Sequence, residues 1–227
     1  MQVKLISFSK PSQELFDEGL CNVQELIAFC ARVSNPANQF NTETSEKLIN
    51  YLVKHQHWSP LEMVSACLEI VTTRDIARQI LRHRSFSFQE FSQRYADPTK
   101  DMNFVLREAR LQDTKNRQNS IDVEYTNDTH RQIAYQWEMM QTRVITEAKN
   151  AYEWAISKGI AKEQARAVLP EGLIESRLYM NGTLRSWIHF IQLRSGNGTQ
   201  KEHRLVALEC AKAIAEIFPL ASEYITE

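Results

Sequence analysis

The chain reads as an α+β fold, with mixed helices packed on an antiparallel-type sheet, and three observations carry that reading. Some segments alternate apolar and polar residues with period 2, and others carry apolar residues at helical spacing. The two kinds are mixed without a regular βαβ rhythm, which argues against a doubly wound sheet. Six Pro and six Gly in 227 residues leave few breaks, so the elements are long. A chain of this length can bury most of its apolar surface without disulfides or metals, and residues 1–227 read as a single domain.

Residues 2–8 alternate and read as a strand. Residues 23–33 have helical spacing until Asn35-Pro36 breaks it. Residues 45–54 put Leu48, Ile49, Leu52 and Val53 on one side of an amphipathic helix. Residues 63–73, rich in Val, Ile and Leu, read as a strand. Thr72 followed by Asp75 resembles a capping box and opens a helix through Ile76, Ala77, Ile80 and Leu81. That helix ends in Arg82-His83-Arg84. Residues 85–95 are strand or extended loop, closed by Asp97-Pro98, and residues 102–107 a short strand. The polar stretch 113–128 reads as a surface loop. A long helix over 129–157 stops at Gly159, and a shorter one over 162–169 stops at Pro170. Residues 173–180 read as a strand ending in an Asn181-Gly182 turn. Helices over 183–193 and 200–218 follow, separated by a break at 195–198.

Apolar content of 43% and charged content of 24% are those of an ordinary globular protein. The net charge of −1 gives the whole molecule no bias toward nucleic acid or an anionic membrane, and neither is expected as a partner. No apolar stretch approaches a membrane span, and the N-terminus is too short and strand-like for a signal peptide, so the expected location is cytoplasmic. Cys21, Cys30, Cys67 and Cys210 form no CxxC pair and no zinc-finger spacing; they read as buried free thiols, and no metal is expected. None has the cationic neighbours that would activate a nucleophilic thiol.

The most informative segment is Arg82-His83-Arg84-Ser85-Phe86-Ser87-Phe88-Gln89-Glu90-Phe91-Ser92-Gln93-Arg94-Tyr95. Upstream, Arg74, Arg78 and Arg82 recur every four residues, so one helix face presents a row of guanidiniums, with Gln79 near its end. Guanidinium forks suit phosphate oxygens. A solvated basic stripe is the plainer reading, but it gives no reason for Phe86, Phe88 and Phe91. Those rings with the Arg row also allow a single-strand nucleic-acid module, in which aromatic side chains stack on bases.

The same segment resembles the signature of the flavin-dependent thymidylate synthase family: RHR, seven intervening residues, then Ser, usually within RHRxxSxNExSxRY. Here it stands as RHRSFSFQEFSQRY, with Gln89 in place of the usual Asn. His57-Trp58-Ser59-Pro60-Leu61-Glu62 resembles the family's H-x-[ST]-P-F-E element, with Met63 where His is common. Ala165-Arg166-Ala167-Val168-Leu169-Pro170 resembles its ARxxLP element, and TLRSWIHFIQLR (183–194) its flavin and nucleotide helix. The stretch Gly198-Thr199-Gln200-Lys201-Glu202 departs from the family's histidine-containing loop. The resemblance covers roughly residues 20–215 and is thin over 97–129.

The resemblance implies reductive methylation of dUMP to dTMP, with FAD as cofactor, and NADPH and 5,10-methylenetetrahydrofolate as co-substrates. It implies a homotetramer with sites shared between subunits. By position, Gln79, Arg82, Glu90, Ser92, Gln93, Arg94, Arg166 and Arg194 would surround dUMP, and Arg194 would act catalytically by stabilising charge on the uracil ring. FAD would lie against His57, Ser59, Arg82, His83, Arg84 and Glu90, with Thr183, Leu184, Arg185 and His189 added from the later helix. Arg185 and His189 are one turn apart and share a face. Taken alone, Arg194 is a cation complementing the dipole at a helix end. Arg166 before a helix stop reads the same way, and His57 alone reads as a core histidine.

Overall fold

The computed structural model describes residues 1–226. In chain order the elements are strand β1 (Gln2–Phe8), helices α1 (Gln13–Asp17), α2 (Val23–Ala31) and α3 (Ser45–Lys54), strand β2 (Ser65–Thr73), helix α4 (Arg74–Ile80), strand β3 (Ser87–Glu90), helix α5 (Pro98–Asp101), strands β4 (Arg110–Gln112) and β5 (Ser120–Asp122), helices α6 (Asp128–Ser157) and α7 (Lys162–Ala165), strand β6 (Glu175–Thr183), and helices α8 (Leu184–Ser195) and α9 (Lys201–Ala215).

The main sheet has four strands in the order β1-β2-β6-β3, every pair antiparallel. β2 and β6 pair along their full length, from Ser65 opposite Thr183 to Thr73 opposite Glu175. Alternation turns Ala66, Leu68, Ile70, Leu178 and Met180 inward, where all are buried. Cys67, Glu69 and Tyr179 occupy the more open face. Trp187 of α8 is the largest fully buried side chain; its Nε1 donates to the Ala66 carbonyl at 3.0 Å, and its ring meets Phe86 edge-on at 4.8 Å. Burying the indole therefore leaves no unpaired polar atom behind.

Each central strand runs straight into a helix: β2 into α4 and β6 into α8. Because the strands are antiparallel, the helices leave from opposite ends of the pair. A nine-residue strand is about 30 Å long, against about 10 Å and 18 Å for helices of 7 and 12 residues. Their C-terminal ends consequently meet, and this meeting point is where His83 touches Arg194.

Several expectations need correction. Asn181 and Gly182 do not turn; both lie within β6, paired with Cys67 and Ala66. A Cβ on Gly182 would come within 2.4 Å of the Phe86 ring, so Gly182 serves close packing. The stretch 113–128 is no plain loop: β4 and β5 form a two-stranded hairpin, and α6 already begins at Asp128, capped by Asn127. Residues 102–107 make a single bridge, Phe104 to Ile174, in place of a strand. Thr73, not Thr72, is the N-cap of α4, and its side chain makes no cap hydrogen bond; its hydroxyl accepts from Arg107 instead. The helix expected over 162–169 tightens to 3₁₀ geometry at Arg166–Val168, and the last helix ends at Ala215. Cys210 is buried, but Cys21 is exposed and Cys30 and Cys67 are half-buried.

Candidate functional site

The expected site residues fall into three groups. The first forms where α4, α8 and α9 converge. Arg194 Nε donates to His83 Nε2 at 3.0 Å. The His83 ring stands 5.0 Å from Phe190 and 6.2 Å from His203, edge-on to both. His203 Nδ1 lies 3.2 Å from Gln79 Oε1. Burial, then Arg194 and Arg82, push the His83 imidazole down to about 4. Burial, then Arg194 and His83, push His203 down to about 3. Both rings are therefore neutral near pH 7. Burial and then Arg82 also lower the Arg194 guanidinium from its ordinary value. Among the described residues Arg82, Arg84 and Arg194 form no ion pair. An unneutralised Arg82 near the half-buried Arg194 guanidinium suits an anion, and guanidinium forks suit phosphate in particular.

The second group follows β3. Glu90 accepts from the Ser176 hydroxyl at 2.8 Å and faces Arg74 at 3.4 Å and Arg78 at 3.9 Å. Arg74 and Arg78 also reach Glu171, at 3.3 and 3.4 Å. The expected row of guanidiniums on one helix face is thus broken: α4 ends at Ile80, so Arg82 lies past it, and Arg74 and Arg78 are neutralised while Arg82 is not. Ser92 Oγ accepts from the Arg94 amide at 3.3 Å, and Gln93 is buried. Arg94 pairs with Glu163 at 3.7 Å, while Arg166 Nε donates to the Glu163 carbonyl at 3.3 Å. Arg94 and Arg166 therefore share Glu163.

The third group lines the start of α8. Arg185 is ion-paired with Glu62, and the His189 ring packs edge-on against Trp58 at 4.5 Å. Ser59 opens the 3₁₀ turn that carries Glu62, and His57 is exposed next to it. The Thr183 hydroxyl caps α8 by accepting from the Ser186 amide at 3.3 Å. Leu184 is fully buried and its amide donates to Val64, so its side chain serves the core beneath Arg185.

Sequence reasoning missed His203, Gln200 and Glu202. On α9, His203 sits among Val206, Ala207 and Cys210 and looks like any apolar-face residue; its partner Gln79 is 124 positions away. Phe86 is buried, and Phe88 and Phe91 pack against buried clusters, so none is free as a stacking platform.

A four-stranded antiparallel sheet that brings the ends of two helices and their arginines to one junction defines an α+β protein with a cationic junction suited to an anion. The family model described as "Thymidylate synthase complementing protein" matches residues 19–220, and the chain belongs to that family. It is 47% identical over 219 residues to a flavin-dependent thymidylate synthase of Synechocystis sp., covering 96% of each chain. It is 45% identical over 219 residues to a probable flavin-dependent thymidylate synthase of Paramecium bursaria Chlorella virus 1, again covering 96% of each. A crystal structure of the UMP/dUMP methylase PolB from Streptomyces cacaoi with 5-Br UMP superposes with a TM-score of 0.76 at 26% identity, covering 98% of this chain and 92% of that one.

Proposed function

We propose that this chain is a flavin-dependent thymidylate synthase, converting dUMP to dTMP in the cytoplasm with FAD, NADPH and 5,10-methylenetetrahydrofolate. The observation that carries the reading is the contact between Arg194 and His83, at a junction where Arg194 and Arg82 have no carboxylate partner among the described residues. A neutral imidazole orients the guanidinium without cancelling its charge. Arg194 is thereby left to stabilise negative charge developing on the uracil ring, and a fixed cation in a half-dry site is an effective device for that. Gln79 on α4 and Arg82 just past its end would hold dUMP; Glu90, Ser92, Gln93, Arg94 and Arg166 would enclose it.

The residues present fit FAD. Its pyrophosphate needs cations, and Arg82 and Arg84 are exposed and unpaired among the described residues. Along α8, Arg185 and His189 continue the same edge toward Ser59 and His57. FAD, when bound, supplies the hydride chemistry, and the protein positions and polarises.

Self-association into a homotetramer has independent support. α6 is a 30-residue helix of which only Gln141, Ala148, Tyr152 and Ala155 are buried. Ile133, Trp137, Met140 and Val144 recur at heptad spacing on its surface and are 40–60% exposed. Such a stripe calls for a partner, and a second copy would also let the Arg94–Arg166 group of one subunit complete the Arg194 junction of another. The test is the purified protein itself: an oxidised-flavin absorption spectrum, bleached by NADPH, and dTMP formed only when dUMP and the methylene-folate are both supplied. Colourless protein that makes no dTMP overturns the reading.

A further inference from the structure

A line of side chains runs from the hairpin to the junction with only one possible donor–acceptor order. It starts at Glu202, whose Oε1 is held by Arg107 at 3.3 Å and by Arg110. Burial opposes ionisation of Glu202, but its own backbone N–H, Gln200, Arg107 and Arg110 outweigh burial and hold the carboxyl below its ordinary range. An ionised carboxylate only accepts. Glu202 Oε2 therefore takes a hydrogen from Gln200 Nε2 at 2.9 Å, which turns Gln200 Oε1 toward Gln79. Gln200 Oε1 accepts from Gln79 Nε2 at 2.8 Å, which turns Gln79 Oε1 toward His203. His203 must then donate from Nδ1 across the 3.2 Å contact, and its Nε2 is a bare lone pair. Nε2 is indeed buried without a partner; a stranded N–H there would be the costlier state.

We propose that Glu202, Gln200 and His203 are positioning residues whose donor–acceptor order fixes the Gln79 amide, so that Gln79 offers its remaining N–H to an oxygen of the bound nucleotide. This rests on the reading of Gln79 as a dUMP-binding residue. The direction of the line is set entirely at position 202. A Gln there has one carbonyl oxygen, which Arg107 and Arg110 would claim. Its NH₂ would then face Gln200, each amide down the line would turn round, and Gln79 would present oxygen to oxygen. His203 would have to accept at Nδ1 and carry its proton on Nε2.

The experiment is dUMP titration of the FAD-loaded enzyme, followed by flavin absorbance, with nitrogen NMR of labelled histidine on the same samples. Glu202→Gln and Gln79→Leu should each weaken dUMP binding about tenfold, the scale of one hydrogen bond to a ligand. The double variant should bind no more weakly than Gln79→Leu alone, because Glu202 acts only through Gln79. His203→Asn, which keeps an N–H where Nδ1–H stands, should retain affinity within about twofold, whereas His203→Leu should match Gln79→Leu. His203 should be protonated on Nδ1 in the parent enzyme and on Nε2 in Glu202→Gln, with flavin content equal throughout. Wild-type dUMP affinity in Glu202→Gln, additive losses in the double variant, or an unchanged tautomer overturns the inference while leaving the functional reading standing. A parent enzyme that binds flavin but no dUMP overturns both.

Discussion

The start of α4 and the turn just past its end carry the same residue type and treat it in opposite ways. At the N-terminal end the helix dipole disfavours a cation, yet Arg74 is there, its side chain only 6% exposed. Glu90 and Glu171 lie 3.4 and 3.3 Å away, and Ser176 donates to Glu90. Just past the C-terminal end, where the dipole favours cations, Arg82 stands beside Arg194 with two neutral histidines and, among the described residues, no carboxylate partner. Arginines satisfied by the protein's own acids are scaffold. Arginines supported only by dipoles and neutral rings are left available for an anion from outside. An arginine's role is thus set by which end of the helix it occupies and by what neutralises it.

That contrast is most exposed to failure at Arg74. Arg74→Ala removes one partner from a buried pair and leaves Glu90 with the Ser176 hydroxyl and a single cation among the described residues, Arg78, 3.9 Å away. Breaking such a pair costs about 3–5 kcal/mol, so denaturant unfolding should show a loss near the lower bound, about 3 kcal/mol. A loss under about 1 kcal/mol would mean that the buried end is not scaffold.

Arg194→Ala tests the open end with the opposite signature. Turnover should fall by roughly 10²–10³, the scale for losing one preorganised charge-stabilising group. Thermal stability should be unchanged or slightly higher, since an uncompensated cation beside Arg82 is relieved. Flavin absorbance should persist. Wild-type turnover in this variant would remove Arg194 from the chemistry.

What the sequence made legible divides along the same lines. The central strands were readable because alternation is local and survives burial on one face, as in Ala66, Leu68 and Ile70. The arginine cluster was readable as a string, but its division into paired and unpaired halves was not. That division is imposed by Glu171, 97 positions from Arg74, and by β3 bringing Glu90 back beside α4. Asn181-Gly182 misled because turn chemistry is a local preference, and here register with Ala66 and Cys67 and the approach of Phe86 override it. The β4–β5 hairpin had little apolar signal to give: each strand is three residues long with one apolar side chain, Leu111 or Ile121, and all of β5 is exposed. His203 shows the limit most sharply, since a lone histidine on an apolar helix face gains meaning only from Gln79 on α4 and His83 in the turn after it.

Acidification should weaken the open end selectively. His83 and His203 sit near 4 and 3 in the folded chain, against 6.5 when unfolded. Between those values the unfolded chain binds more protons than the folded one, so stability rises with pH across this window. The contribution of both rings is complete above about 6.5 and is lost as pH falls toward 4. Melting temperature should drop by several degrees from pH 7 to pH 4.5, and His203→Asn should flatten part of that slope. An identical slope in His203→Asn would show that His203 already titrates normally in the fold.

The smallest effect is expected at Arg78, and it sharpens the comparison because Arg78 lies between the two ends. Its side chain is 49% exposed, and it reaches Glu171, itself 50% exposed, at 3.4 Å. Water screens such a pair, so its worth is about 0–1 kcal/mol. Its second contact, to Glu90 at 3.9 Å, is at the limit of an ion pair and is shared with Arg74. Arg78→Ala should therefore change unfolding free energy by less than about 1 kcal/mol. In the Arg74→Ala background the same change should cost distinctly more, because Glu90 then has no other cation. Non-additivity of that kind is the mark of a shared partner. Simple additivity would mean that Arg78 and Arg74 hold Glu90 independently, and that the scaffold end of α4 is two separate ion pairs instead of one network.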